Sequence, residues 1–169
     1  MLILSTEFFQ QDVLQLAPAL LGKILVRKFD DGTIERFRIT ETEAYRGEED
    51  KACHAAKGRT QRTEVMYHQG GKIYVYLIYG MYWMLNIVSG KENEPQAVLI
   101  RGVEKISGPG RVGKKLILDK SFYGETLPSS RIWIEDDNTT PEYITTPRIG
   151  IDYAEEWKDL EWRFVVSKR

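Results

Sequence analysis

Two glutamates separated by a single residue, Glu41 and Glu43, carry the plainest chemical potential in this 169-residue sequence. They lie in the run Phe37-Arg38-Ile39-Thr40-Glu41-Thr42-Glu43-Ala44-Tyr45, where strand alternation puts Phe37, Ile39, Glu41, Glu43 and Tyr45 on one face. Two carboxylates then extend an apolar stripe. A carboxylate partly withdrawn from water holds its proton more tightly, which suits it to acid–base work near neutral pH. The same pattern also fits a strand end that emerges into solvent with both side chains hydrated. As an acid/base pair of a carbohydrate hydrolase they would have to flank one bond at about 5 to 9 Å, but strand neighbours lie on one side of a sugar.

His54, one of two histidines, follows Glu43 by eleven residues in a polar stretch, and alone it is as readily structural as catalytic. Tyr76 and Tyr82 have a strand-packing explanation. Tyr79 occupies a turn between two strand-like runs, where a large aromatic has little core to enter but is shaped to wedge between base pairs. Gly108-Pro109-Gly110-Arg111 opens a helix with free amides beside a cation, which suits a phosphate as well as an ordinary helix start. Basic residues gather as Lys57, Arg59 and Arg62, as Arg101 and Lys105, and as Arg111, Lys114 and Lys115. The net charge of −1 speaks against a domain bound to nucleic acid over its whole surface, so any such contact has to be local.

These residues need a frame. The composition fits one α+β domain over residues 1–169. Apolar residues at helical spacing from Val13 to Leu21 predict a helix ended by Gly22 and disturbed by Pro18. Lys23 to Phe29 and Thr33 to Tyr45 read as a hairpin through Asp30-Asp31-Gly32. Residues 46–71 form a long loop with one helical turn. Lys72 to Ile78 and Met81 to Val88 make the strongest hairpin, joined at Tyr79-Gly80. Strands follow at about Gln96 to Glu104, Arg131 to Glu135 and Trp162 to Ser167, with a helix from about Arg111 to Asp119. The single Cys53 forms no internal disulfide, and no Cys/His spacing suggests a metal. With no apolar run near the ~20 residues of a membrane span and no signal-like start, a soluble, reducing compartment is expected.

The runs Glu41-Thr42-Glu43-Ala44-Tyr45 and Tyr74-Val75-Tyr76-Leu77-Ile78-Tyr79-Gly80-Met81-Tyr82, with Asp50, His54 and Asn86, resemble the alkyladenine (3-methyladenine) DNA glycosylase family. The likeness continues through Val98-Leu99-Ile100-Arg101, Ser107-Gly108-Pro109, Pro147-Arg148-Ile149-Gly150-Ile151 with Glu156-Trp157, and Arg163-Phe164-Val165-Val166. It implies a curved antiparallel sheet with flanking helices and a protruding β-hairpin. It also implies a monomeric, cofactor-free and metal-free repair enzyme that flips alkylated or deaminated purines from duplex DNA and cuts their glycosidic bonds without strand scission. The location implied is the cytoplasm, at a prokaryotic nucleoid, or a eukaryotic nucleus. A non-catalytic nucleic-acid-binding module is the alternative.

By that resemblance Glu43 is the general base, and Arg101 with the Val166 carbonyl positions the water. Tyr45, His54 and Tyr76 stack the flipped base, Asn86 excludes guanine, and Tyr79 fills the gap in the duplex. Arg59, Arg62 and Arg111 are the candidate phosphate contacts. The sequence departs from the family pattern where Gly102 to Ile106 replaces a longer helical connection, at Gln61 and Thr63 in the basic loop, and at Arg111 and Met84.

Overall fold

The protein's structure, a computed structural model, describes residues 1–167. Ten strands occur among these: β1 (Leu2–Ile3), β2 (Ile24–Lys28), β3 (Ile34–Arg46), β4 (Ile73–Ile78), β5 (Tyr82–Val88), β6 (Gln96–Val103), β7 (Ile106–Ser107), β8 (Ile132–Asp136), β9 (Tyr143–Thr146) and β10 (Arg163–Val166). They join in one antiparallel sheet of order β1-β8-β2-β3-β6-β5-β4, with β10 bridging β3 to β9 and β7 hung on β6. Among the described residues there are two α-helices, α1 (Val13–Ala19) and α2 (Pro109–Lys115), and several short 3-10 segments. No helix among the described residues is long and apolar enough to cross a membrane.

Helix α1 begins where the Asp12 side chain accepts from Leu14 N–H and Gln96 accepts from Val13 N–H. Pro18 sits in its last turn, and Gly22 leaves at φ +83°, a left-handed conformation that favours glycine. Leu16 and Leu20 then bury against Ile39, Ala44, Val98 and Ile100, while Val112 of α2 and Leu116 just beyond it join the same cluster. Alternation sends the intervening residues to the other face. There Tyr74, Val88 and Ala97 pack on Cys53, Val65 and Met66 from the 47–72 connection. One face of the sheet therefore holds the main core, and the other holds the loop and the candidate site.

Strand β3 does not alternate without interruption. Its pairing with β6 shifts register between Ile39 and Glu41 and again between Glu41 and Thr42. Phe37, Ile39 and Ala44 all face the main core, and the Thr42 hydroxyl donates to the Ala17 carbonyl of α1. Glu41, Glu43 and Tyr45 consequently lie opposite the Phe37–Ile39 stripe rather than extending it, which corrects the expectation from simple alternation. Gly102 stands at this break because a Cβ there would come within 3.2 Å of the Glu41 Cβ.

The first hairpin and the Tyr79 hairpin fall within a residue or two of their predicted limits. Helix α2 does not: it runs from Pro109 to Lys115 instead of from about Arg111 to Asp119, because Ile117 turns left-handed at φ 52°. Proline at its first position makes a good start. The long loop contains two 3-10 turns, His54–Lys57 and Glu64–Tyr67, where one was expected.

Candidate active site

A cavity of about 510 Å³ opens on the loop-covered face of the sheet. Tyr74 and Tyr76 from β4, Met84 and Asn86 from β5 and Leu99 and Arg101 from β6 line it, because these residues point away from the main core. Tyr45 and His54 add to its wall, and the segments Ser107 to Arg111 and Ile149 to Ile151 border it.

Glu43 stands behind this wall with none of its surface exposed. Its Oε1 accepts from the Tyr45 hydroxyl at 2.8 Å and its Oε2 from the Ile149 N–H at 2.8 Å. Arg101 Nη1 lies 3.6 Å from Oε1. Burial raises the Glu43 pKa, and Arg101, the Ile149 amide, Tyr45 and Arg148 act in the opposite direction. Such a group combines a raised proton affinity with stabilisation of its ionised form, as a general base requires.

Glu41 has a different setting. Its Oε2 is 3.1 Å from Arg101 Nε and accepts from Arg163 Nε at 2.6 Å. Glu41 and Glu43 thus engage one guanidinium through different nitrogens, and Glu41 is committed to two arginines. That arrangement has no acid standing across a bond from Glu43, which counts against the carbohydrate-hydrolase reading.

The aromatic wall rests on His54. Its ring lies 4.5 Å from that of Tyr76, and its Nδ1 shares a 2.8 Å hydrogen bond with the Tyr74 hydroxyl. Burial, reinforced by Arg62 and Lys57, lowers its pKa to about 4, so the imidazole is neutral at pH 7. Burial is also the main reason the Tyr76 hydroxyl is pushed up to about 12. A neutral ring among protonated phenols offers flat stacking surface and uncharged hydrogen-bonding groups. Asn86 is buried with Nδ2 donating to the Tyr74 carbonyl at 3.3 Å, while it lines the cavity.

Tyr79 is 88% exposed at the hairpin tip. It and Gly80 have φ of 54° and 65°, and Met81 N–H donates to the Ile78 carbonyl, as in a type I′ turn. Arg62 and Arg111 are exposed at the cavity's edge, with the Arg62 guanidinium 5.3 Å from the centre of the Tyr76 ring. Arg59 differs: it binds both oxygens of Glu64 and also Asn93, outside the cavity lining. Val166 also stands apart from the cavity. Register places Arg163, not Val166, opposite Glu43, and Val166 pairs with Tyr143.

Sequence reasoning gave no role to Tyr74, Arg163 or the Ile149 amide. Tyr74 was discoverable, since it shares the cavity face of β4 with Tyr76. An amide donor leaves no mark in side-chain identity, and Arg163 reaches Glu41 across 122 positions of sequence. Among the described residues, no group of three or more His, Cys, Asp or Glu side chains is placed to hold a metal ion.

A model of the family described as methylpurine-DNA glycosylase matches residues 7–169. Similar proteins include one of Psychrobacter cryohalolentis, provisionally named 3-methyladenine DNA glycosylase. It is 40% identical, over 96% of this chain and 91% of that one. Proteins with the same provisional name from Natranaerobius thermophilus and Legionella pneumophila are each 42% identical. Those matches cover 96% and 97% of this chain and 94% of each relative.

Proposed function

This chain belongs to the methylpurine-DNA glycosylase family, and on that premise we propose that it excises alkylated or deaminated purines from duplex DNA through base flipping and hydrolysis at C1′. The observation that carries this reading is Glu43: a fully buried carboxylate, hydrogen-bonded through both oxygens, next to an arginine that lines an aromatic cavity.

Extruding a nucleotide costs a few kcal/mol, least at a damaged pair. Stacking on an aromatic side chain contributes about 1 to 3 kcal/mol per base. Tyr45, His54 and Tyr76 take the flipped base, Asn86 faces its edge, and Tyr79 enters the gap left in the duplex. Glu43 and Arg101 hold a water near C1′. The water's proton passes to Glu43 as its oxygen bonds to C1′, and the C1′–N bond breaks with its electron pair leaving on the purine. An alkylated, cationic purine leaves as the neutral base, a neutral purine leaves as an anion that takes a proton from solvent, and the product is an uncut abasic site. None of the cavity-lining residues is a lysine, which supports water rather than an amine as the nucleophile. The protein acts as a monomer on duplex DNA in a reducing compartment.

The test measures base release in single turnovers, together with binding, on a duplex carrying one ethenoadenine. The panel is then extended to 3-methyladenine, 7-methylguanine and hypoxanthine. Glu43→Gln keeps the shape but cannot accept the proton, so excision should fall by at least about 10² to 10⁴ with lesion affinity retained. Near wild-type excision by this variant would remove Glu43 as the base. Strand cleavage by the wild type before alkali is added would defeat the hydrolytic mechanism.

A further inference from the structure

Asp50 and Arg148 are an ion pair with both side chains fully buried, 98 positions apart in sequence. Arg148 Nη1 donates to Asp50 Oδ2 at 2.7 Å and to the Ala44 carbonyl at 3.0 Å. Its Nη2 donates to Asp50 Oδ1 at 2.9 Å and to the Trp157 carbonyl at 3.2 Å. Asp50 in turn accepts from the amides of Arg46 and Ala52. Four hydrogen bonds on each partner leave little rotational freedom to either.

Both carboxylate oxygens of Glu43 are held by groups that adjoin this pair. The residue after Arg148 supplies the N–H on Oε2, and the Arg148 guanidinium lies 5.0 Å from the centre of the Tyr45 ring, whose hydroxyl donates to Oε1. Arg148 also grips the carbonyl of Ala44, the residue next to Glu43. The Ile149 side chain, by contrast, is exposed at the cavity edge, so nothing about its own packing explains a fixed amide.

With the glycosylase reading as its basis, we propose that the Asp50–Arg148 pair is the positioning device for Glu43, fixing the Ile149 amide on one oxygen and Tyr45 on the other so that the base meets its water in one orientation. Neither residue touches the substrate. The other charged or titratable groups around Glu43 are Arg101 on β6, Tyr76 on β4 and, on the neighbouring Glu41, Arg163 of β10. These remain in place when the pair is altered, so a change in Glu43 can be assigned to the pair itself.

Removing one partner strands a buried charge, so the informative variant replaces both: Asp50→Asn with Arg148→Met. The control is Arg38→Met with Asp137→Asn, which removes an ion pair on β3 before the register break. Folding is checked by thermal unfolding, excision by single-turnover rates across pH, and the Glu43 carboxyl by carbon-13 titration. Loss of the amide and cation should raise the Glu43 titration and the acid limb of the rate profile together by about one unit. The neutral-pH rate should drop by about 10² as the base loses its orientation.

An unmoved limb and carboxyl titration in the folded double variant overturns the proposal, as does an equal shift in the control. If the double variant does not fold, Arg148→Lys carries the same test, since lysine keeps the charge but lacks the fork. An unchanged rate and titration in that variant is equally fatal. Failure of the wild type to release any base would defeat the functional reading instead, while the carboxyl titration would still decide the positioning role.

Discussion

At the scale of single residues, protonation makes opposite demands on Glu43 and His54. As the proposed base Glu43 has to be ionised, and burial raises its pKa, so excision should fail as pH drops through a value above the ordinary glutamate range. In a single-turnover profile of wild type, an acid limb at or below that range would refute this. In stability the sign is reversed: a buried carboxylate with a raised pKa favours the fold at low pH, and that contribution is lost as pH rises through the folded value. His54 goes the other way, from 6.5 unfolded to about 4 folded. Its contribution is complete above about 6.5 and disappears as pH falls toward about 4, so a His54→Phe variant should show a flatter decline in denaturation midpoint over that window. An identical pH slope in both proteins would refute it. Glu41→Gln should be intermediate. By loosening Arg101 it should cost about tenfold in excision rate, the equivalent of one charged hydrogen bond of about 1.5 kcal/mol, and less than Glu43→Gln. A Glu41→Gln enzyme as inactive as Glu43→Gln would mean that the two roles have been misassigned.

At the scale of elements, the wedge role proposed for Tyr79 sets function against local stability. A non-glycine residue at φ 54° carries a backbone cost of about 1 to 2 kcal/mol, and the side chain is 88% exposed, so packing does not offset it. Tyr79→Gly should therefore leave the thermal midpoint unchanged or higher while weakening lesion binding by about 1 to 3 kcal/mol. Equal lesion affinity would exclude the wedge role. The two hairpins could be read from sequence because turn residues and alternation are local signals: Asp31-Gly32 sits between two strands of mixed, partly alternating polarity and Tyr79-Gly80 between two largely apolar runs. Strands β1, β7 and β9 could not, because they are only two to four residues long: β1 and β9 exist through pairing with the distant β8 and β10, and β7 is two residues that turn straight back on β6. The register break at Glu41 was invisible for a related reason. It depends on how β6 and Gly102 meet β3, whereas alternation considers one strand alone. The type of the Glu43 side chain was legible, but the amide and the buried pair that hold it were not.

At the scale of the whole molecule, a net charge of −1 has to coexist with binding to a polyanion. Binding should nevertheless weaken with salt, with a log–log slope of about −0.9 for each phosphate neutralised. Arg62→Ala and Arg111→Ala should each reduce the slope by about one unit when affinity is followed by fluorescence anisotropy. Arg59→Ala should reduce it less, because Glu64 and Asn93 already occupy that guanidinium. Equal effects from all three would show that the Arg59 pairing dissolves on DNA. Strand β3 has a consequence of another kind. It is flanked by β2 and β6, and β10 also pairs with its Glu41–Glu43 stretch. Its amides there should be among the last to exchange with deuterium, since exposing them takes nearly complete unfolding, whereas those at the Tyr79 tip should exchange early. The proposed base then belongs to the most persistent cooperative unit and the proposed wedge at the hairpin tip to the least. On heating, hydrolytic competence and global structure should disappear together, with no folded but chemically dead intermediate between them.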